Sequence, residues 1–407
     1  MNLLPDRGSR LYKIELASLL VLGSLLNFVF PFLIAKSISV QSFGIFVILW
    51  AEITIFSYML TGVQTHVAIV TTEAIVQRKL EPKGYVYDPF TNQFFRILSL
   101  PVILLLILGL MSNTNDTFRN IFFFAALAIP VISITAITLG KLQGNNDPLN
   151  YFRIICLIAF TKILWVPIFF TFSISPYSFI YSLMLLQLGL ILIIGWSNPV
   201  KHAIQIDQLS GVLVKVVTIN LVFWAFLNSD TLLVRAHLSL EMSGLYSAAS
   251  SLSKVPITLT AVLITIFLTR VIELEIHKES SSQLRKFIYS FVVFLHVTFF
   301  MLGYFFGPLL IKIFLGEKYS QSYQMFVLLN LITGVFSVLL VFISLNLNKI
   351  SKRNVYVSVL VLLGHTVLLG TTRVTVEVFI FLFGFFALCM LIANMLIIKF
   401  SKSQKKA

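Results

Sequence analysis

Apolar residues in this chain gather into runs of about twenty, the length a helix needs to cross the hydrocarbon core of a bilayer. Short polar stretches separate the runs. The pattern predicts twelve helices, at 15–35, 43–65, 95–112, 121–139, 154–172, 177–195, 212–235, 245–267, 287–307, 323–345, 354–370 and 376–398. Mostly short loops join them, so little room is left for a soluble domain. The expected fold class is an all-α integral membrane protein. The first run has span length and lacks a small-residue cleavage site, so it reads as a retained span and not as a signal peptide.

Composition agrees with this reading. The mean hydropathy is +0.96, with 58% hydrophobic and 11% charged residues, too few polar groups to cover a soluble surface. The formal net charge of +14 first suggests nucleic acid. Placing the charges on loops removes that need. With the amino terminus inside, 22 of the 30 Lys and Arg residues fall on the inner side, as the positive-inside rule expects. Lys36, Arg119, Lys312, Lys318 and Arg373 fall on the other side. A multi-pass protein with both termini cytoplasmic is expected, with no nucleic-acid partner. Cys156 and Cys389 both lie in apolar runs and indicate neither a disulfide framework nor a metal site. No GxxxxGK[ST] loop is present, which disfavours an ATP-driven pump, and no cofactor is expected.

The turn AKSISVQSFGIFVILW between the first two runs is matched by AHLSLEMSGLYSAA between the seventh and eighth. Ser39, Gln41, Gly44 and Phe46 align with Ser239, Glu241, Gly244 and Tyr246, at a constant offset of 200. Six spans per half make such repeats parallel. The expected organisation is a lobe at 1–196, a cytoplasmic linker at 197–211 and a lobe at 212–407, about twelve helices in two parallel six-helix lobes around a central cleft. Interfacial turns often use Ser and Gly, so chance similarity remains the competing account.

Three basic residues, Lys162, Arg235 and Lys254, fall inside predicted spans. A Lys or Arg at mid-membrane costs about 2.5–3.5 kcal/mol on insertion scales, which calls for a wet cavity or a partner. Ser247, Ser250, Ser251, Lys254 and Thr258 share one helical face, and that face fits a cleft wall. Helix packing would explain the serines but not the lysine. Pro256 should loosen the helix beside Lys254. Thr54 stands on a matching stripe of the second span, and Asn27 on the first span precedes Pro31; for these two, packing is an equal contender. Arg235, at the end of its span, either snorkels to the interface or faces the cleft. Asp230 lies about 140° from Arg235 around a helix and should instead meet a partner on another helix, with Lys254 the candidate. Asp230 and Glu52 are candidates for binding a proton or sodium ion, although Glu52 could equally fix helix order through a salt bridge. His296 and His365 read as helix-packing residues.

The segment LNSDTLLVRAHLSLEMSGLYSAASSLSKVP resembles polysaccharide-transport flippases of the O-antigen (Wzx) type, within the multidrug/oligosaccharidyl-lipid/polysaccharide (MOP) exporter superfamily. The matching features are Asp230 ending the seventh span, Gly244-Leu245-Tyr246-Ser247-Ala248-Ala249 opening the eighth, and Pro256 beyond. SISVQSFGIF is similar to the family's first turn, with Gln41 and Ser42 where an acidic residue is usual, and LGEKYSQSYQMFVLLN resembles the stretch before the tenth span. The resemblance implies a MOP/MATE-like fold that moves a polyprenyl-diphosphate-linked oligosaccharide, an O-antigen, capsule or exopolysaccharide precursor, across the bacterial cytoplasmic (inner) membrane. It implies membrane lipids, a polysaccharide polymerase and a chain-length protein as partners. Lys254, Lys162 and Arg235 would then neutralise the diphosphate, with Ser247, Ser251, Thr258, Thr54 and Asn27 lining the path. A cation-coupled small-molecule exporter of the same fold is the alternative; it would favour acidic cleft residues. A membrane polymerase or ligase is disfavoured because the predicted outer loops are short and hold no paired catalytic groups, so no enzyme activity is expected.

Overall fold

The structure is a computed structural model, and its described residues are 10–78, 116–144, 148–171, 182–183, 185–187, 189–190, 209–276 and 279–404. They form α1 (Arg10–Ser37), α2 (Val40–Arg78), α3 (Asp116–Gly144), α4 (Pro148–Thr171), α5 (Leu209–His237), α6 (Leu240–Ser253), α7 (Val255–Ile276), α8 (Ser282–Phe314), α9 (Tyr323–Leu345), α10 (Lys352–Thr371) and α11 (Val376–Gln404). Two 3-10 turns, η1 (Glu317–Ser322) and η2 (Leu347–Lys349), flank α9. No strand occurs among the described residues. Ten of the twelve predicted spans coincide with these helices, the eighth being α6 and α7 together. The predicted span at 95–112, most of that at 177–195, and the linker up to residue 208 lie outside the described residues.

Seven helical stretches among the described residues are long and apolar enough to cross a membrane, and shorter apolar stretches lie at Leu25–Ser37 and Val40–Ile55. Large apolar side chains such as Phe294, Phe305 and Phe381 point outward, as a bilayer solvent allows. The second helix runs on to Arg78, well past its predicted end at 65: VQTHVAIVTTEAIVQR holds no Gly or Pro to stop it, and α3 packs along it through Gly140 and Gly144.

Helix α2 is the hub. It packs on α3 and also on α5 and α6 from the second half of the chain. Small residues let these helices approach. A Cβ on Gly140 would lie 2.5 Å from the Gln64 carbonyl oxygen, and one on Gly144 would lie 2.7 Å from that of Ala68. Beside this contact Gln64 donates to Gln143 and to the Tyr151 hydroxyl, both at 3.1 Å. Gly303 and Gly307, also four residues apart, bring α8 against Asn330 and Tyr323 in the same way. Gly140→Ala should therefore cost about 1–3 kcal/mol by overpacking, seen as a lower melting temperature in detergent. Gly370→Ala, where nothing lies within 4 Å of the added carbon, is the matched control and should not fall.

Candidate functional site

Helix α5 carries the run Asn228-Ser229-Asp230-Thr231 at bilayer depth. Three of the four satisfy themselves on their own helix: Asn228 donates to Trp224 O at 2.9 Å, Ser229 to Phe226 O at 2.7 Å and Thr231 to Asn228 O at 2.9 Å. Asp230 faces α6 and is wholly buried. Its Oδ1 accepts from Lys254 Nζ at 2.8 Å, and its Oδ2 accepts from Ser250 Oγ at 2.7 Å and Tyr246 Oη at 3.3 Å. The lysine comes from the interruption between α6 and α7. Pro256 has no N–H to give to the preceding turn, and just beyond it the Ile257 N–H bonds Lys254 O at 3.1 Å, three residues back instead of four. The expectation that Asp230 meets Lys254 across helices and that Pro256 loosens the helix is therefore what the structure contains. The same contact alters the expected role of Lys254, because its charge is already cancelled by an acidic neighbour 24 residues upstream.

On the other side, Lys162 of α4 donates to Asn27 Oδ1 of α1 at 3.0 Å and lies 5.3 Å from the centre of the Trp50 ring. The Asn27 amide is turned the right way for this by donating to Gly23 O at 3.1 Å. Thr54, one turn beyond Trp50, donates to the Trp50 carbonyl at 2.6 Å. The structure thus gathers Asn27, Thr54 and Lys162 into one neighbourhood. No carboxylate lies within ion-pairing distance of Lys162 among the described residues. The side chain of Glu52, on α2, is outside the described residues.

The remaining expected residues separate. The Ser247 hydroxyl is buried with no hydrogen-bond partner among the described residues, Ser251 donates to Ser247 O at 2.8 Å, and Thr258 reaches Lys254 O at 3.5 Å. Arg235 is exposed in the last turn of α5 and makes no ion pair among the described residues, which fits the interface anchor better than the cleft. His365 of α10 is buried, 3.4 Å from Ser229 Oγ through Nδ1, with the rings of Phe226, Phe383 and Phe386 around it. Trp50, Tyr246 and Ser250 complete the two clusters; Ser250 stands on the expected polar face, while Trp50 and Tyr246 are not among the expected site residues. The repeat contains the missing signal, since Trp50 stands at the offset of Ser250.

That offset extends further. Phe30, Phe46, Trp50 and Thr54 occupy the positions of Asp230, Tyr246, Ser250 and Lys254. The first three touch one another as their counterparts do, with ring centres 5.0 Å apart for Phe30 and Trp50, 6.2 Å for Phe30 and Phe46, and 6.0 Å for Phe46 and Trp50. Positions 200 apart thus hold an aromatic cluster at one end of the offset and an ion pair at the other. Gly44 and Gly244 meet directly: a Cβ on Gly44 would lie 3.1 Å from Gly244 Cα, and one on Gly244 would overlap Val40 O.

No family model matches the sequence, and no curated protein does. Solved structures match over nearly the whole chain. An outward-facing multidrug resistance MATE family transporter of the MOP superfamily aligns with a TM-score of 0.62 at 13% identity, covering 97% of this chain and 96% of that one. An inward-facing one aligns at 0.63 and 12%, covering 97% and 98%. The fold is that of MATE transporters of the MOP superfamily. A MOP superfamily transporter from Pyrococcus furiosus, described by the reverse polarity of its binding pocket, aligns at 0.57 and 13%, covering 97% and 96%. The structural alignments show the all-α MATE/MOP architecture, and identities of 12–13% carry nothing about cargo. Among the described residues no group of three or more His, Cys, Asp or Glu could hold a metal ion.

Proposed function

We propose that this chain is a flippase, carrying an anionic lipid-linked oligosaccharide of the polyprenyl-diphosphate type across the bacterial cytoplasmic membrane. The lobes at 1–196 and 212–407 would rock about their shared contact, with both termini cytoplasmic, delivering the cargo to a polymerase on the far side. The observation that carries this reading is Lys162. Asn27 and Trp50 solvate its ammonium group, through a hydrogen bond and a cation–π contact, but neither carries negative charge. Among the described residues no carboxylate answers this charge, and an anion at 4 Å would gain about 4 kcal/mol at an effective dielectric constant of about 20. Lys254 enters this scheme as the partner of Asp230, not as a second free cation. Ser251, Thr258 and Thr54 offer hydroxyls for sugars, and Arg235 would stand at the mouth.

A cation-coupled exporter of small molecules is the second reading. The likeness to multidrug transporters favours it, and so does a buried carboxylate. Against it, the Asp230 carboxylate is occupied by Lys254, Ser250 and Tyr246, so no free acid among the described residues waits for a cationic drug. The Pyrococcus furiosus transporter, with its reverse pocket polarity, indicates that this fold accommodates pockets of more than one sign. Reconstituted vesicles separate the two readings. The purified protein should move a polyprenyl-diphosphate oligosaccharide between leaflets and should not accumulate a cationic dye such as a rhodamine under an imposed proton or sodium gradient. Dye transport without lipid translocation would reverse the assignment.

A further inference from the structure

Where α1 turns into α2, a segment from far along the chain reaches across this end of the bundle. After α8, Gly316 adopts φ +103°, in the region that favours glycine, and turns the chain into η1. Exposed Glu317 pairs with Lys312 at the end of α8. The next two side chains reach across to α1 and α2. Tyr319 is wholly buried, its hydroxyl donates to Ala35 O at 3.2 Å, and its ring meets that of Phe43 edge-on at 5.7 Å. Lys318 donates to Lys36 O at 3.1 Å and also to Ile38 O. Ala35 and Lys36 are in the last turn of α1, where carbonyls lack intrahelical donors and a cation complements the helix dipole. The turn also packs on α6, beside the place where Gly44 meets Gly244. Phe314, at the end of α8, adds ring contacts to Phe28 and Phe32 at 5.1 and 5.6 Å.

We propose that η1 is a clasp: Tyr319 and Lys318 hold this end of the cleft shut over the Gly44–Gly244 joint, and cargo passes this end only after they withdraw. The contacts are of a kind that can break and re-form. Lys318 is exposed and holds two backbone carbonyls, and Tyr319 enters from a six-residue turn hinged at Gly316 and is not part of a helix core. A transporter that opens alternately to two sides must give up whatever closes each end. On the reading from the basic residues, this is the outward end.

Accessibility of the cleft tests the clasp without any need to know the cargo. A single cysteine replaces Thr54 in a Cys156→Ser, Cys389→Ser background of the full chain, and a membrane-impermeant maleimide is applied to intact cells and to inside-out vesicles. A separate Ser39→Cys protein, with its cysteine in the exposed turn, identifies which face carries this end, so the result does not depend on the assumed orientation. Adding Tyr319→Ala should raise the rate of labelling at position 54 from the Ser39 face at least about tenfold, the shift that losing the hydrogen bond alone would give, with the lost buried ring adding to it. Lys318→Ala should raise it about two- to threefold, the loss of one exposed contact. Tyr319→Phe, which keeps the ring, should fall between the parent and Tyr319→Ala. Labelling from the opposite face should stay level or drop. If Tyr319→Ala fails to accumulate, Lys318→Ala alters only an exposed side chain and still gives the answer. Unchanged labelling from the Ser39 face in these variants overturns the clasp, and so does an equal rise from both faces.

Discussion

Lys162→Met reduces export of the anionic cargo about ten- to a hundredfold, while the amount of protein in the membrane holds or rises. The two effects have opposite signs for a physical reason. A lysine at bilayer depth costs about 2.5–3.5 kcal/mol on insertion, so removing it should ease folding. A charge-assisted hydrogen bond to an anion contributes about 1.5–3 kcal/mol, and methionine, which fills a similar volume, cannot make one. Arginine keeps the charge but presents a planar fork where Asn27 offers one oxygen and Trp50 one ring face, so Lys162→Arg should retain part of the export. A role confined to packing predicts otherwise: methionine would be tolerated and arginine would not. Export of the lipid-linked oligosaccharide at matched protein level decides between them, and full export by Lys162→Met would falsify the anion-binding role. Asn27→Leu is a graded companion. It leaves the charge and removes the acceptor that holds it, so export should fall less than for Lys162→Met.

Hydropathy exposed most of the helices, because a bilayer demands long apolar runs whatever the tertiary contacts. It missed helix ends that run beyond the apolar core, as α2 does through Thr71 and Arg78 and as α8 does from Ser282 to Phe314. Four aligned residues around Gly44 and Gly244 give the expectation of a repeat. The pattern does not disclose that these two glycines face each other, or that Phe30, Phe46 and Trp50 cluster where Asp230 accepts hydrogen bonds from Tyr246 and Ser250. Contacts between distant parts of the chain leave no mark in local periodicity. Lys162 and Asn27 are 135 positions apart, and Tyr319 and Ala35 are 284 apart. A buried tyrosine on a short polar turn such as EKYSQS also defeats hydropathy, since its neighbours suggest solvent. Lys254 and Asp230 lay close enough, one on each side of a turn, for their meeting to be anticipated from charge alone.

Lys254→Met should lower stability sharply, and it is the expected result that most separates the two intramembrane lysines. Asp230 is wholly buried, and the Lys254 side chain is 16% exposed. Removing one partner of a buried ion pair costs about 3–5 kcal/mol, because the other charge is left without compensation. Ser250 and Tyr246 would still donate to Asp230, but two hydroxyl groups do not cancel a charge. Lys254→Met protein should therefore accumulate poorly or melt early in detergent. Asp230→Asn should also be harmed, since it leaves the ammonium group facing an amide. The double variant Asp230→Leu, Lys254→Met buries no charge at all, and such replacements are often neutral or stabilising. It should recover most of the lost stability, giving a large coupling energy in a double-mutant cycle. Single variants as stable as the parent would mean that the pair is not closed in the membrane. Transport by the rescued double variant then separates two roles for Asp230. Export that survives, with its response to an ion gradient intact, leaves the pair as a fastener between α5 and the break after α6. Export that loses its gradient response in a stable protein identifies the carboxylate as the coupling group, with Lys254 as the cation that occupies it when no ion is bound.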